Sequence, residues 1–209
     1  MTAPFTRLAL HLIGLLPLAL LIGDALGDRL TANPIQYLTQ RTGWFALALL
    51  LASLACTPLN RWLGWKSVMR WRKPLGLYSF GYASLHLAIF AALDYGLDLD
   101  LIAQAVIEKR YIIAGFLAFL LLVPLAITST AGWQRRLKQW WRRLHRLVYL
   151  AAALAVAHYL WLSKDPRPAL LAGALLAALL LARLPTRQSW QRVVQWRYER
   201  TQRQTRTRR

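Results

Sequence analysis

Six apolar runs, separated by short polar stretches, account for most of the chain: about 8–26, 44–59, 75–93, 111–128, 147–163 and 169–184. About 20 apolar residues in helical form cross a hydrocarbon core of roughly 30 Å, so runs of this kind are read as membrane spans. The pattern predicts an all-α integral membrane bundle of about six transmembrane helices. The sixth run is short and alanine-rich, and Arg183 at its end is expected to snorkel toward the headgroups. A short basic start precedes the first run, as in a secretory leader. No small-x-small cleavage site follows it, and a retained helix is expected.

Charge orients the spans. Of 209 residues, 57% are hydrophobic, yet the formal net charge is +19. A soluble domain of this length would be less apolar and nearer neutrality. The two properties coexist because they occupy different segments. Twenty-one of the 27 Lys and Arg fall at Arg7, in 61–73, in 135–146 and in 183–209. The other six (Arg29, Arg41, Lys109, Arg110, Lys164, Arg167) lie in the stretches that hold seven of the eight acids. Alternation of this kind follows the positive-inside rule. Loops 60–74 and 132–146 then belong in the cytoplasm, loops 27–43, 94–110 and 164–168 outside, and both termini are cytoplasmic. A basic groove does not explain the alternation, and no nucleic-acid partner is expected. The organisation expected is one membrane domain over 1–185 and a basic cytoplasmic tail over 186–209. In that tail Trp190, Val193, Val194 and Trp196 either form a surface helix on anionic membrane lipid or belong to a frayed end.

The chain has no internal sequence repeat and neither G-x-x-x-x-G-K-[ST] nor G-x-G-x-x-G. Nicotinamide or FAD chemistry would have to come from a partner. With one cysteine, Cys56, and no C-x-x-C-H, a haem bound here would be non-covalent, of the b type.

Histidines inside membrane helices carry the candidate chemistry, because an ionisable group in lipid marks function by default. His86 lies 13 residues past Lys73, about 20 Å along a helix, and His158 lies 12 residues past Arg146, about 18 Å. Both helices run outward, so the two imidazoles reach nearly the same depth, on the periplasmic side of the midplane. Two histidines from facing helices at matched depth suit the axial positions of one haem iron, an arrangement for electron transfer more than oxygen chemistry. His145 sits beside Arg142, Arg143 and Arg146, about 20 Å along the helix from His158 and about 140° around it. It either ligates a second haem, contacts a flavin or quinone, or sits in the headgroup layer, and a bulge would be needed for it to share a face with His158. Arg72 stands where a fourth histidine would, about one haem-stacking distance before His86; its guanidinium suits a propionate or a flavin phosphate. A structural role is expected for His11.

The runs ANPIQYLTQRTGWFAL, TPLNRWLGW, RKPLGLYSFGYASLHL, KRYIIAGFLAFLLLVPLAITST and RLHRLVYLAAALAVAHYLWL resemble the MsrQ (formerly YedZ) family. The likeness covers about residues 30–163 and places the chain in the wider ferric-reductase-like transmembrane group. It implies a haem b membrane subunit of the bacterial inner membrane, with one or two haems and FMN in some descriptions. Electrons would come from the quinone pool or a cytosolic flavin reductase. They would go to a periplasmic molybdopterin enzyme, MsrP, on which methionine sulfoxide in oxidised proteins is reduced. The family's histidines fall on His86, His145 and His158. Neither His11 nor the tail belongs to the shared runs.

Three functions compete at this point: an electron-transfer subunit feeding a periplasmic reductase, a stand-alone transmembrane ferric or quinone reductase, and a transporter or structural membrane protein with buried histidines.

Overall fold

The structure, a computed structural model, describes residues 4–184, with side chains from Leu8 onward. The tail expected over 186–209 lies outside the described residues. Among the described residues the chain is helical, with no strand: α1 Pro4–Leu26, α2 Pro34–Leu63, α3 Arg72–Ile89, α4 Leu99–Glu108, α5 Arg110–Ile127, α6 Ala131–Leu137, α7 Gln139–Leu144, α8 Leu147–Leu162 and α9 Arg167–Leu181. Five helical stretches are long and apolar enough to span a membrane: Leu8–Leu26, Pro34–Leu63, Arg72–Asp94, Arg110–Ile127 and Gln139–Leu162. The sixth, α9, has 15 residues, about 22 Å of helix, and falls short of that length. Leucines on the outside of α1, Leu12, Leu16 and Leu20 among them, are more than half exposed. A bundle solvated by hydrocarbon leaves such residues outward.

Side-chain bonds fix the helix directions. Ser53 Oγ donates to Arg72 O at 2.7 Å and Ser79 Oγ to Ala46 O at 2.8 Å, so α2 and α3 run antiparallel. Trp141 Nε1 donates to Thr128 O at 2.9 Å near one end of the pair α5 and α8, and His158 meets Tyr111 at the other. The bundle is built on these two antiparallel hairpins. A core of Leu47, Leu50, Leu51 and Leu54 from α2 meets Leu122 of α5, Ala151 and Ala152 of α8 and Leu176 of α9. α1 lies against α3 on the far side: Tyr82 Oη donates to Gly14 O at 2.8 Å, and His11 Nδ1 bonds Tyr78 Oη at 2.7 Å. That interhelical bond is the structural role expected of His11.

Several boundaries differ from those read in the sequence. α2 starts ten residues before position 44, because Asn33 caps it by accepting from Gln36 N at 3.1 Å and a proline opens its first turn. At 30 residues, about 45 Å, α2 exceeds the hydrocarbon thickness, and its polar first turns occupy what was read as an outer loop. Loop 94–110 holds the short helix α4, capped by Asp98, whose side chain accepts from Asp100 N and Leu101 N. Near His145 the helix does not run straight. Arg146 N and Tyr149 N bond the carbonyls three residues back, Arg143 and Arg146, so α7 and α8 meet at a tightened turn.

Arg183 corrects a sequence expectation. It does not snorkel; it turns inward and donates to Tyr149 Oη at 2.6 Å and to Leu54 O, with its guanidinium 5.2 Å from the Tyr149 ring centre. Pro58, four residues after Leu54, has no N–H, and the Leu54 carbonyl therefore lacks its helical donor. A buried carbonyl without a partner is costly, and Arg183 supplies one. In return, the end of α2 caps α9: Arg61 Nη1 donates to Arg183 O and Leu184 O at 3.0 Å each, and Trp62 Nε1 to Ala182 O at 2.9 Å.

Candidate functional site

His86 on α3 and His158 on α8 face each other across the bundle, their ring centres 6.0 Å apart and their planes 83° to one another. His86 Nδ1 bonds Thr39 O at 2.8 Å, and His158 Nδ1 bonds Tyr111 O at 2.6 Å. A carbonyl only accepts, so each Nδ1 carries the proton and donates it. Each Nε2 is then the unprotonated nitrogen, with a lone pair for a metal. Histidine ligands are commonly oriented in this way, by an N–H donated to a carbonyl behind them. Two imidazole–metal bonds of about 2 Å, with a little over 1 Å from each ring centre to its nitrogen, put the ring centres about 6 Å apart. The observed separation is one at which both rings would hold a single metal. Among the described residues there is no cluster of three or more His, Cys, Asp or Glu. Two imidazoles are a donor set that a haem iron would take.

His145 and Arg72 meet elsewhere, at the basic end of the bundle. They line a cavity of about 190 Å³ whose polar side also carries Ser53, Lys73, Ser129 and Trp141, and whose apolar side includes Leu122 and Phe80. Thr128 Oγ1 donates to Pro124 O at 2.6 Å, so it accepts from His145 Nε2, 3.1 Å away. The His145 ring stacks on Trp141, centres 4.0 Å apart and planes at 30°. Phe80, in the cavity wall, stacks on Phe119 at 5.6 Å and 13°. Phe80 lies six residues before His86, about 9 Å along α3, so the aromatic pair stands between the cavity and the paired histidines.

The structure thus brings His86 and His158 together and gathers His145 with Arg72 in a second place. Sequence reasoning missed Thr39, Gly43, Tyr111 and Gly115, which press on the two rings. The carbonyls have no signature in a sequence. The glycines had one, since each stands inside an apolar helix where it costs about 1 kcal/mol against alanine.

The profile of the family described as ferric reductase like transmembrane component matches residues 42–156, which includes α3, α5 and most of α8. A protein of Deinococcus radiodurans named protein-methionine-sulfoxide reductase heme-binding subunit MsrQ is 50% identical over 177 residues, 83% of this chain and 86% of that protein. Proteins of the same name are 47% identical over 178 residues in Xanthomonas axonopodis pv. citri, 81% of each chain, and 46% identical over 183 residues in Xanthomonas campestris pv. campestris, 84% of this chain and 83% of that protein. No solved structure matches the chain. On these likenesses, and with an all-helical membrane bundle, the chain belongs to the MsrQ family of ferric-reductase-like membrane proteins.

Proposed function

We propose that this chain is the haem b electron-transfer subunit of a bacterial inner-membrane system that delivers electrons to a periplasmic protein-methionine-sulfoxide reductase. One observation carries the reading: His86 and His158 stand 6.0 Å apart, each with Nδ1 donated to a carbonyl. A haem held there by His86 and His158 would supply one-electron redox chemistry. The chain's own part is to hold the two rings, exclude water with the surrounding apolar helices, and set the depth at which the electron waits. The relatives' names support both the haem and the methionine-sulfoxide reductase as partner. The donor would be the quinone pool or a cytosolic flavin reductase.

The cavity of His145 and Arg72 would serve the donor side. Its Trp141, its cations and its apolar wall suit a flat, conjugated group: a second haem b, an FMN or the ring of a quinol. Removing His145 should slow reduction by the donor while the His86–His158 haem stays bound. Stopped-flow in two halves, donor to haem and haem to acceptor, reads this directly. Normal reduction with slow delivery would reverse the assignment, and loss of all haem would make His145 a ligand of the main site.

Topology follows from the charges. The end carrying Arg61, Lys66, Arg70, Arg135, Arg136 and Arg142 would be cytoplasmic, with both termini there, and α4 periplasmic. Reporters active only in the periplasm should work when fused after Asp98 and fail after Arg209. The reverse pattern would put the paired histidines near the wrong face.

A transporter or purely structural protein would show no reducible b-type bands after purification in detergent, so an absorption spectrum tests the haem reading as a whole. A stand-alone reductase would reduce ferric iron or quinone without a periplasmic partner; co-purification with a molybdenum enzyme separates it from the subunit reading.

A further inference from the structure

The two paired rings are held in the same way, by parts that recur in each hairpin. On α2 the carbonyl of Thr39 accepts from His86, 47 residues later on α3; on α5 the carbonyl of Tyr111 accepts from His158, again 47 residues later, on α8. One turn beyond each carbonyl stands a glycine, Gly43 on α2 and Gly115 on α5. A Cβ at Gly43 would lie 3.0 Å from His86 Nδ1 and 3.1 Å from its Cε1. At Gly115 a Cβ would lie 2.7 Å from His158 Nδ1, 2.9 Å from Cε1 and 3.1 Å from Cγ. The glycines are therefore in contact with the ring edge that also donates to the carbonyl.

We infer that Gly43 and Gly115 are positioning residues for the two axial rings, each acting with the carbonyl one turn before it as a repeated two-part cradle. The cradle fixes which nitrogen carries the proton and how close the ring lies to its incoming helix. This rests on the haem reading above. A side chain at either glycine drives the ring away from the helix and lengthens the N–H···O=C bond that holds it. Loss of such an outer partner weakens metal binding by about 10–100-fold and alters the basicity of the ligand. The effect is unequal, because a contact of 2.7 Å must be relieved by a real shift, whereas 3.0 Å calls for a few tenths of an ångström. Gly81, on the same helix as His86, has nothing within 4 Å of its would-be Cβ and serves as the control.

The test uses the full-length protein in detergent, loaded with haem b, in three single variants. Gly115→Ala should lose most of its haem, with affinity about 10–100-fold weaker at unchanged elution by size exclusion. Gly43→Ala should keep haem but move its midpoint potential and its low-spin EPR g-values, and Gly81→Ala should match the wild type in all three. If Gly115→Ala does not fold, the shift in Gly43→Ala decides, together with pulsed EPR of the wild type. That spectrum should show an exchangeable proton on the remote nitrogen of both ligands. Wild-type protein that takes up no haem would sink the haem reading itself. Haem-loaded wild type, with Gly115→Ala or Gly43→Ala unchanged in affinity, potential and g-values, or with a remote nitrogen lacking its proton, would overturn the cradle alone.

Discussion

His86→Ala and His158→Ala, made singly, are each expected to abolish the same reducible haem bands. The two rings stand 6.0 Å apart, one from each hairpin, and a single iron would take both. Loss of either leaves one imidazole and an open axial side, a larger change than loss of an outer partner, which by itself weakens metal sites about 10–100-fold. The two variants should therefore be alike: little or no b-type haem in folded protein, or a residual five-coordinate, high-spin species in place of the low-spin one. Absorption spectra of the reduced forms and EPR at low temperature make the comparison. If one variant kept low-spin haem that the other lost, the rings would not share an iron.

A second large effect is expected at Arg183, which is far from the paired histidines. Arg183→Met removes the donor to Leu54 O and to Tyr149 Oη. An acceptor left buried and unpaired costs about 1–3 kcal/mol. In a chain of this size that corresponds to a fall of roughly 2–12 °C in Tm. Pro58→Ala supplies the missing amide one turn after Leu54, and in that background the penalty of Arg183→Met should shrink. Thermal unfolding of the four proteins completes a double-mutant cycle. Equal penalties in both backgrounds would show that Arg183 does not serve the carbonyl that Pro58 frees.

The spans were legible because lipid leaves the chain few options, and long apolar runs become helices there. His86 and His158 could be matched from sequence since a helix converts residue count into depth at a fixed rise. Other features depended on atoms that a sequence does not display. Pro58 announces a freed carbonyl, but nothing local says that a side chain 129 residues away will reach it. Arg183 at the end of an apolar run reads as a headgroup contact, and only packing against α2 and α8 turns it inward. The early start of α2 had a local signal in Asn33 and Pro34, but its first turns carry Gln36, Gln40 and Arg41, which do not look like part of an apolar span. Thr39 and Tyr111 act through their backbones, so their side chains pointed to nothing. Arg72 and His145 come to one cavity because α3 and the α7–α8 turn converge, a meeting that spacing along the chain does not encode.

The division of the two ligands between hairpins bears on how the protein is made. α2 and α3 leave the ribosome carrying one half of a binding site, and the other half follows only when α5 and α8 have been synthesised and inserted. On the haem reading, neither half can retain the cofactor alone, so loading waits for the late hairpin to find the early one. A ligand that binds only the joined form stabilises it by mass action. The shared leucine and alanine core already joins the hairpins, so cells short of haem should hold a folded but less stable chain, and its abundance would then track haem supply without any dedicated regulator.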